Sequence, residues 1–267
     1  DHERMVKEIS ATGKRVEIIH IQELGGVSKA IMAGTNIARR LVIEASGMQR
    51  SPADISNVVM AIKCGASDTT SGMASNCVIG YVADRLVDLG ATVVFGETTE
   101  FIGGEHLLAR RAVSKEVGDQ IYTIVNKMEA RAKSLGCDMR KGQPTPGNIA
   151  GGLSSIEEKS LGAIVKSGTK PIQGVLDYPE RVTNQKGLWI KDTPGREPEI
   201  LTGMAATGAQ FMMFSTGRGA PQGFPSMPVI KICGNPNTYE RMEDDMDLNA
   251  GLIITGEKTI EQVGEEA

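Results

Sequence analysis

Apolar positions fall into short continuous runs separated by segments of helical period, and nearly every run breaks off into Gly, Ser, Thr, Asn or Asp. The short runs predict buried strands over 16–21, 58–62, 91–95, 172–176 and 228–232, and two more that lead into Asp192 and Ser215. Between them the helical period predicts a short amphipathic helix over 2–12. A second helix of about twenty residues opens at Gly25-Gly26 and ends near Gly47, and a third runs from a Ser75 cap to Leu89 with Gly90 closing it. A polar helix covers 114–135, and a helix begins at Ser154-Ser155, where Glu157 and Glu158 complete a capping-box pattern, and ends at Lys166-Ser167-Gly168. The organising stretch is 187–219, which reads strand, polar turn, helix, strand, polar turn: a βαβ unit.

Strands joined by helical segments need crossovers, so the expected fold is α/β, a mainly parallel sheet flanked by helices. In such a sheet ligands bind outside the carboxyl ends of the strands. Five runs end in polar turns, at Cys64, Glu97, Asp192, Arg218 and Cys233, and a parallel sheet would gather all five at one edge. Polar loops are ordinary in α/β proteins, so one such turn alone decides nothing, whereas five together point to a site. The Gly- and Pro-rich stretch 141–152 separates halves of about 1–140 and 148–267 and is placed to line that site.

The turns carry candidate chemistry. Glu97, Glu100 and His106 are oxygen and imidazole donors of the kind that bind Fe(II), Mn or Mg, although solvated charges and helix caps give the same pattern. Cys64 and Cys233 end strands as candidate iron ligands or nucleophiles, or as inert buried thiols. Lys63, Lys191 and Arg218 suit a substrate carboxylate, with Arg218 offering a bidentate pair. His20 reads as a core or edge residue.

Composition narrows the function classes. A net charge of -4 and 4% aromatic residues offer neither a field nor a stacking platform for nucleic acid. No segment reaches about 18 consecutive apolar residues and the polar start lacks a signal-peptide core, so no membrane partner and a cytoplasmic location are expected. The four cysteines form no CxxC pair, and neither a Walker nor a GxGxxG pattern occurs.

Taken together, KCGASDTTSG (63–72), GETTEFIGGEH (96–106), NIAGGLSSIEEKSLGAIVKSG (148–168), GLWIKDTPG (187–195), STGRG (215–219) and MDLNAG (246–251) resemble the D-galactarate and altronate dehydratase family, which includes the large subunit of sulfolactate sulfo-lyase. The resemblance spans nearly all of 1–267 and is to the family's C-terminal domain, without the segment that precedes it in other members. It implies an Fe(II)-dependent lyase that removes water, or sulfite in the sulfo-lyase branch, from a small anionic hydroxy acid. It also implies a small N-terminal-domain subunit as partner, and a homo-oligomer is expected. On that chemistry Lys63 or His106 is the candidate base, and Glu97, Glu100, His106 and Cys64 are candidate metal ligands. Asp68, Ser71, Asp192 and Thr193 would hold substrate hydroxyls. Ala66 and Phe214-Ser215-Thr216 depart from the usual family motifs. An inactive fragment that binds sugar acids or serves assembly is the reading from another class.

Overall fold

A computed structural model describes residues 2–183 and 186–267. The chain divides into two compact units, 1–53 and 54–267. The first holds α1 (His2–Ser10) and α2 (Val27–Ser46). Residues 16–21, expected as a buried strand, pair with no strand here, and Ile18, Ile19 and Ile21 are exposed. Apolar alternation makes a strand only where a neighbouring edge can take its backbone groups, and the described residues of this unit include no other strand. His20 stacks edge-on against His2 at 4.9 Å.

The second unit is an α/β domain. Its strands are β1 (Val59–Gly65), β2 (Thr92–Phe95), β3 (Ile172–Leu176), β4 (Gly187–Lys191), β5 (Phe211–Thr216), β6 (Val229–Cys233) and β7 (Leu248–Asn249). Among the described residues they form one seven-stranded sheet in the order β3-β4-β2-β1-β5-β6-β7, and every pairing is parallel. All carboxyl ends therefore share one edge, as expected. The βαβ unit of 187–219 forms, but its two strands are not neighbours, because β2 and β1 lie between β4 and β5.

The helices that carry the site are α3 (Asn76–Asp88), α4 (Glu105–Arg110), α5 (Lys115–Ser134), α6 (Met139–Gly142), α7 (Pro146–Ala150), α8 (Ile156–Ile164) and α9 (Glu197–Thr207). Side chains alternate across a strand. Met60 and Ile62 accordingly join Val78, Ile79, Ile121 and Ile164 on one face, while Ala61 joins Ile200, Leu201 and Met204 of α9 on the other. No helix among the described residues is long and apolar enough to cross a membrane.

Ser75 does not cap α3. It is helical (φ -63°, ψ -37°), it is the last residue of a π-helical turn over Ser71–Ser75, and its hydroxyl is paired with that of Ser215 at 2.7 Å in the core. A buried hydroxyl partner on β5 outweighs the local capping preference. The other caps follow the sequence: Ser155 accepts from the Glu158 amide at 3.2 Å, and Gly90 takes φ 85° after α3.

Candidate active site

Alternation along β1 sends Lys63 to the α9 face and Cys64 to the opposite face, and just beyond β2 Glu97 meets cations from both. The Glu97 carboxylate lies 3.3 Å from Lys63 Nζ through Oε1 and 3.0 Å from Lys166 Nζ through Oε2. Oε2 also accepts from the Cys64 amide at 2.8 Å, whereas Oε1 makes no hydrogen bond. Lys63, Glu97 and Lys166 are each 0% exposed. Lys63 further donates to Cys64 O at 2.8 Å, pairs with Glu197 Oε1 at 3.3 Å and sits 4.3 Å above the Phe214 ring. Lys166 reaches Cys64 Sγ at 3.3 Å.

Charge and burial compete here, and the carboxylate decides the outcome. Burial pushes Glu97 towards its neutral form, but Lys166 and Lys63 outweigh it and hold Glu97 below the ordinary carboxylate value. Burial likewise draws both ammoniums down, and their anionic neighbours raise them above the usual lysine value. For Cys64 the balance falls the other way: burial, reinforced by Glu97, outweighs the lowering effect of Lys166 and Lys63 and pushes its thiol up to about 12. Glu97 adopts a left-handed backbone (φ 71°, ψ 60°), a conformation costing about 1–2 kcal/mol outside glycine. Thr193 secures it, its Oγ1 accepting from the Glu97 amide at 2.8 Å. Strain held in place by a buried ion triad is a mark of a functional position.

Above this floor lies a cleft of about 420 Å³ lined by Cys64, Ser67, Glu100, Asn148, Lys159 and Glu197, with the 194–196 turn as one wall. Glu100 Oε1 pairs with Lys159 Nζ at 3.1 Å, and Oε2 is buried without a hydrogen bond. Burial raises the Glu100 carboxyl above its ordinary value; Lys159 opposes the shift and the negative Glu97 adds to it. Lys159 also donates to Gln143 Oε1 at 2.8 Å. The 141–152 stretch thus lines the cleft, through Gln143, Thr145 and Asn148.

The structure brings Lys63, Cys64, Glu97 and Glu100 together and disperses the other expected residues. His106 is exposed on α4 in a separate hollow with Lys115 and Tyr122. Asp68 is a structural hub: Oδ1 accepts from Thr70 Oγ1 at 2.6 Å and the Ser71 amide at 3.0 Å, and Oδ2 from Asn235 at 3.0 Å. Ser71 is buried beside it. Arg218 donates to Gly147 O. Asp192 and Thr193 line a different cavity from the cleft. Lys191 is buried, donating to Glu180 O at 2.6 Å. Lys166, Lys159 and Glu197 were not singled out from sequence. The available signal was a lysine ending an apolar run, as in Ala163-Ile164-Val165-Lys166.

The donor set expected for Fe(II), namely Glu97, Glu100, His106 and Cys64, does not fit a common centre in this chain. Both Glu97 oxygens face ammoniums, His106 lies elsewhere, and no three His, Cys, Asp or Glu among the described residues converge on one point.

Two stability predictions arise here. Burial lowers Lys191 to about 8, so the folded domain resists a proton that the unfolded chain takes up near pH 10.5. Stability is greater above the unfolded value and is lost as pH falls through the folded one, a displacement worth about 3 kcal/mol. Lys191→Met should therefore raise stability in urea unfolding at pH 7, by about 1–3 kcal/mol once its lost bond to Glu180 O is counted, with the gain fading between pH 8 and 10.5. An unchanged or lowered midpoint at pH 7 would contradict the account. Gly217 packs so closely on Asp68 that a Cβ there would collide with the carboxylate. Gly217→Ala should cost about 1–3 kcal/mol by the same measurement.

A family model described as D-galactarate/altronate dehydratase, C-terminal, matches residues 55–267. The chain belongs to this family. It is 39% identical to the (2R)-sulfolactate sulfo-lyase subunit beta of Chromohalobacter salexigens over 98% of this chain and 68% of that protein. It is 41% identical to the galactarate dehydratase (L-threo-forming) of Escherichia coli over 85% of this chain and 43% of the enzyme. It is 34% identical to the altronate dehydratase of Bacillus subtilis over 90% of this chain and 47% of the enzyme. The chain thus spans about half the length of the curated dehydratases it matches and about two thirds of the sulfo-lyase subunit. As members of the dehydratase family these relatives are lyases, and the matched region holds the whole buried triad and the cleft above it.

Proposed function

We propose that the chain carries the strand-edge catalytic site of a lyase that eliminates water from a sugar acid such as altronate or galactarate. The observation that carries this reading is the pair of carboxyl groups in one cleft: Glu197 beside the Lys63 ammonium, and the half-buried Glu100 next to the negative Glu97 with Oε2 enclosed. A carboxyl whose surroundings favour its neutral form, as those of Glu100 do, is suited to give a proton.

Elimination beside a carboxylate removes the α-proton, places charge on an enediolate and expels the β-hydroxyl. Glu197 takes the α-proton, and the electron pair left on carbon forms the new double bond as the C–O bond breaks. Glu100 gives its proton to the departing oxygen, which leaves as water. The Lys159 ammonium holds the substrate carboxylate and stabilises the enediolate, with Asn148 and Ser67 placed to bind hydroxyls. Lys63 and Lys166, fully buried, act from beneath by fixing Glu97 and Glu197. This chemistry uses side chains of the chain alone.

The sulfo-lyase reading is supported by the match of 98% of this chain to about two thirds of the sulfolactate enzyme's beta subunit, and there sulfite would leave in place of water. The test is incubation of the full chain with altronate, galactarate and sulfolactate, assaying for the dehydrated keto acid and for sulfite. Keto acid from a sugar acid supports the dehydratase, and sulfite supports the second reading. Binding without either product would overturn both in favour of a sugar-acid-binding fragment.

A further inference from the structure

The residues that the sequence offered for substrate hydroxyls, Asp192 and Thr193, open onto a hollow of about 480 Å³ whose lining shares only Pro194 with the cleft. One side is α5, which presents Lys127 and Arg131 a helical turn apart. Asp192, Glu199 and Tyr178 line the remainder, with the Tyr178 hydroxyl donating to Glu199 O at 2.5 Å.

Its polar groups are incompletely used. Lys127 Nζ is ion-paired with Asp192 Oδ2 at 3.7 Å, too long for a hydrogen bond, and among the described residues Arg131 has no side-chain partner. Glu199 Oε2 is buried without a hydrogen bond, although Oε1 accepts from Arg196 at 3.3 Å. Met128, Pro194 and the Tyr178 ring, which lies against Gly203, give a carbon skeleton something to rest on. The volume falls within the range of small-molecule sites, which is about 300–1,000 Å³.

We propose that this hollow is a second binding site, distinct from the cleft, for a hydroxylated carboxylate. Arg131 and Lys127 take the carboxylate, while Asp192 Oδ2 accepts from a hydroxyl. The proposal rests on the lyase reading only for its ligand class. The site stands directly against the catalytic floor: Thr98 Oγ1 donates to Asp192 Oδ1 at 2.8 Å, and the Thr193 hydroxyl holds the Glu97 amide at 2.8 Å.

The test is calorimetric titration of the full chain with galactarate as probe. The wild type should show two binding events per chain. Lys127→Ala with Arg131→Ala should weaken one of them at least about tenfold, the loss of one good charge pair. In that variant the event removed by Lys159→Ala should remain. Both substituted side chains are exposed, so the melting temperature should stay within a few degrees and confirm that the fold is kept. No binding in the wild type, or a single event that Lys159→Ala abolishes and the double variant leaves untouched, would overturn the second site. Binding lost only in the double variant would uphold it while removing the cleft from the lyase reading.

Discussion

Glu97→Gln should lower the stability of the domain by about 3–5 kcal/mol, the largest loss expected of any single substitution in the site. The change removes one charge and leaves two fully buried ammoniums, Lys63 and Lys166, facing a neutral amide. Lys63 keeps an ion pair with another carboxylate, Glu197, while Lys166 keeps only the longer-range field of Glu100. Adding Lys166→Met to Glu97→Gln removes one stranded cation and should recover part of the loss, giving a coupling energy in a double-mutant cycle. Because the folded pKa of Glu97 is lowered, its contribution is complete above the ordinary carboxylate value and is lost as pH falls through the folded one. The cost of Glu97→Gln should therefore shrink on acidification. Urea unfolding of the single and double variants at neutral and acid pH checks each point, and a single-variant loss under about 1 kcal/mol would refute the buried triad.

The second large effect falls on turnover and leaves the fold intact. Glu100→Gln reproduces the shape and neutral state of the protonated carboxyl but has no proton to give, so kcat should fall about 10²–10⁴-fold on whichever sugar acid the chain dehydrates. The sign with pH is the reverse of that for Glu97. Burial first, with Glu97 beside it, raises the Glu100 pKa, so the competent protonated form is complete below the ordinary carboxylate value and is lost as pH rises through the folded value. The alkaline fall in wild-type kcat should be absent from the residual activity of Glu100→Gln. The same pH profile in both proteins, or a variant as active as wild type, would take Glu100 out of the proton path. Lys159→Met should instead raise KM most, since it removes a carboxylate contact and not the proton.

Much of this architecture was written in local pattern. Strands β1 to β6 announce themselves because each is a short, largely apolar run closed by turn residues, and parallel pairing follows from the helices between them. Residues 16–21 show where this reasoning stops, since period describes a strand's faces and says nothing of whether an edge awaits it. β7, at two residues, is too short to have a period at all. Within the site, Cys64, Glu97 and Glu100 were visible as strand-end residues. His106 shares their motif, yet a turn and the start of α4 carry it to another surface. Lys166 and Lys159 were invisible for the converse reason: they come from the end and middle of α8 and its following turn, and meet their carboxylates only through tertiary packing.

The strand order carries a consequence for how the molecule is made. Thr92 pairs with Gly187, and Met60 with Phe211, so two of the three pairings among the four central strands span roughly a hundred residues or more, and only β1 with β2 is close in sequence. Pairings so remote in sequence close late and make folding slow. On a ribosome, Lys63 and Glu97 emerge long before Lys166, β4 and β5 exist to enclose them. The nascent domain must hold an open, apolar sheet edge through most of its synthesis, the state in which strands find the wrong partner. A chain cut short before Phe211 would keep β1 to β4 yet leave β1 exposed along one side, with the Phe214 ring missing from beneath the Lys63 ammonium. Nonsense and frameshift products of this length should accordingly reach the cell as insoluble aggregate and not as weakened enzyme.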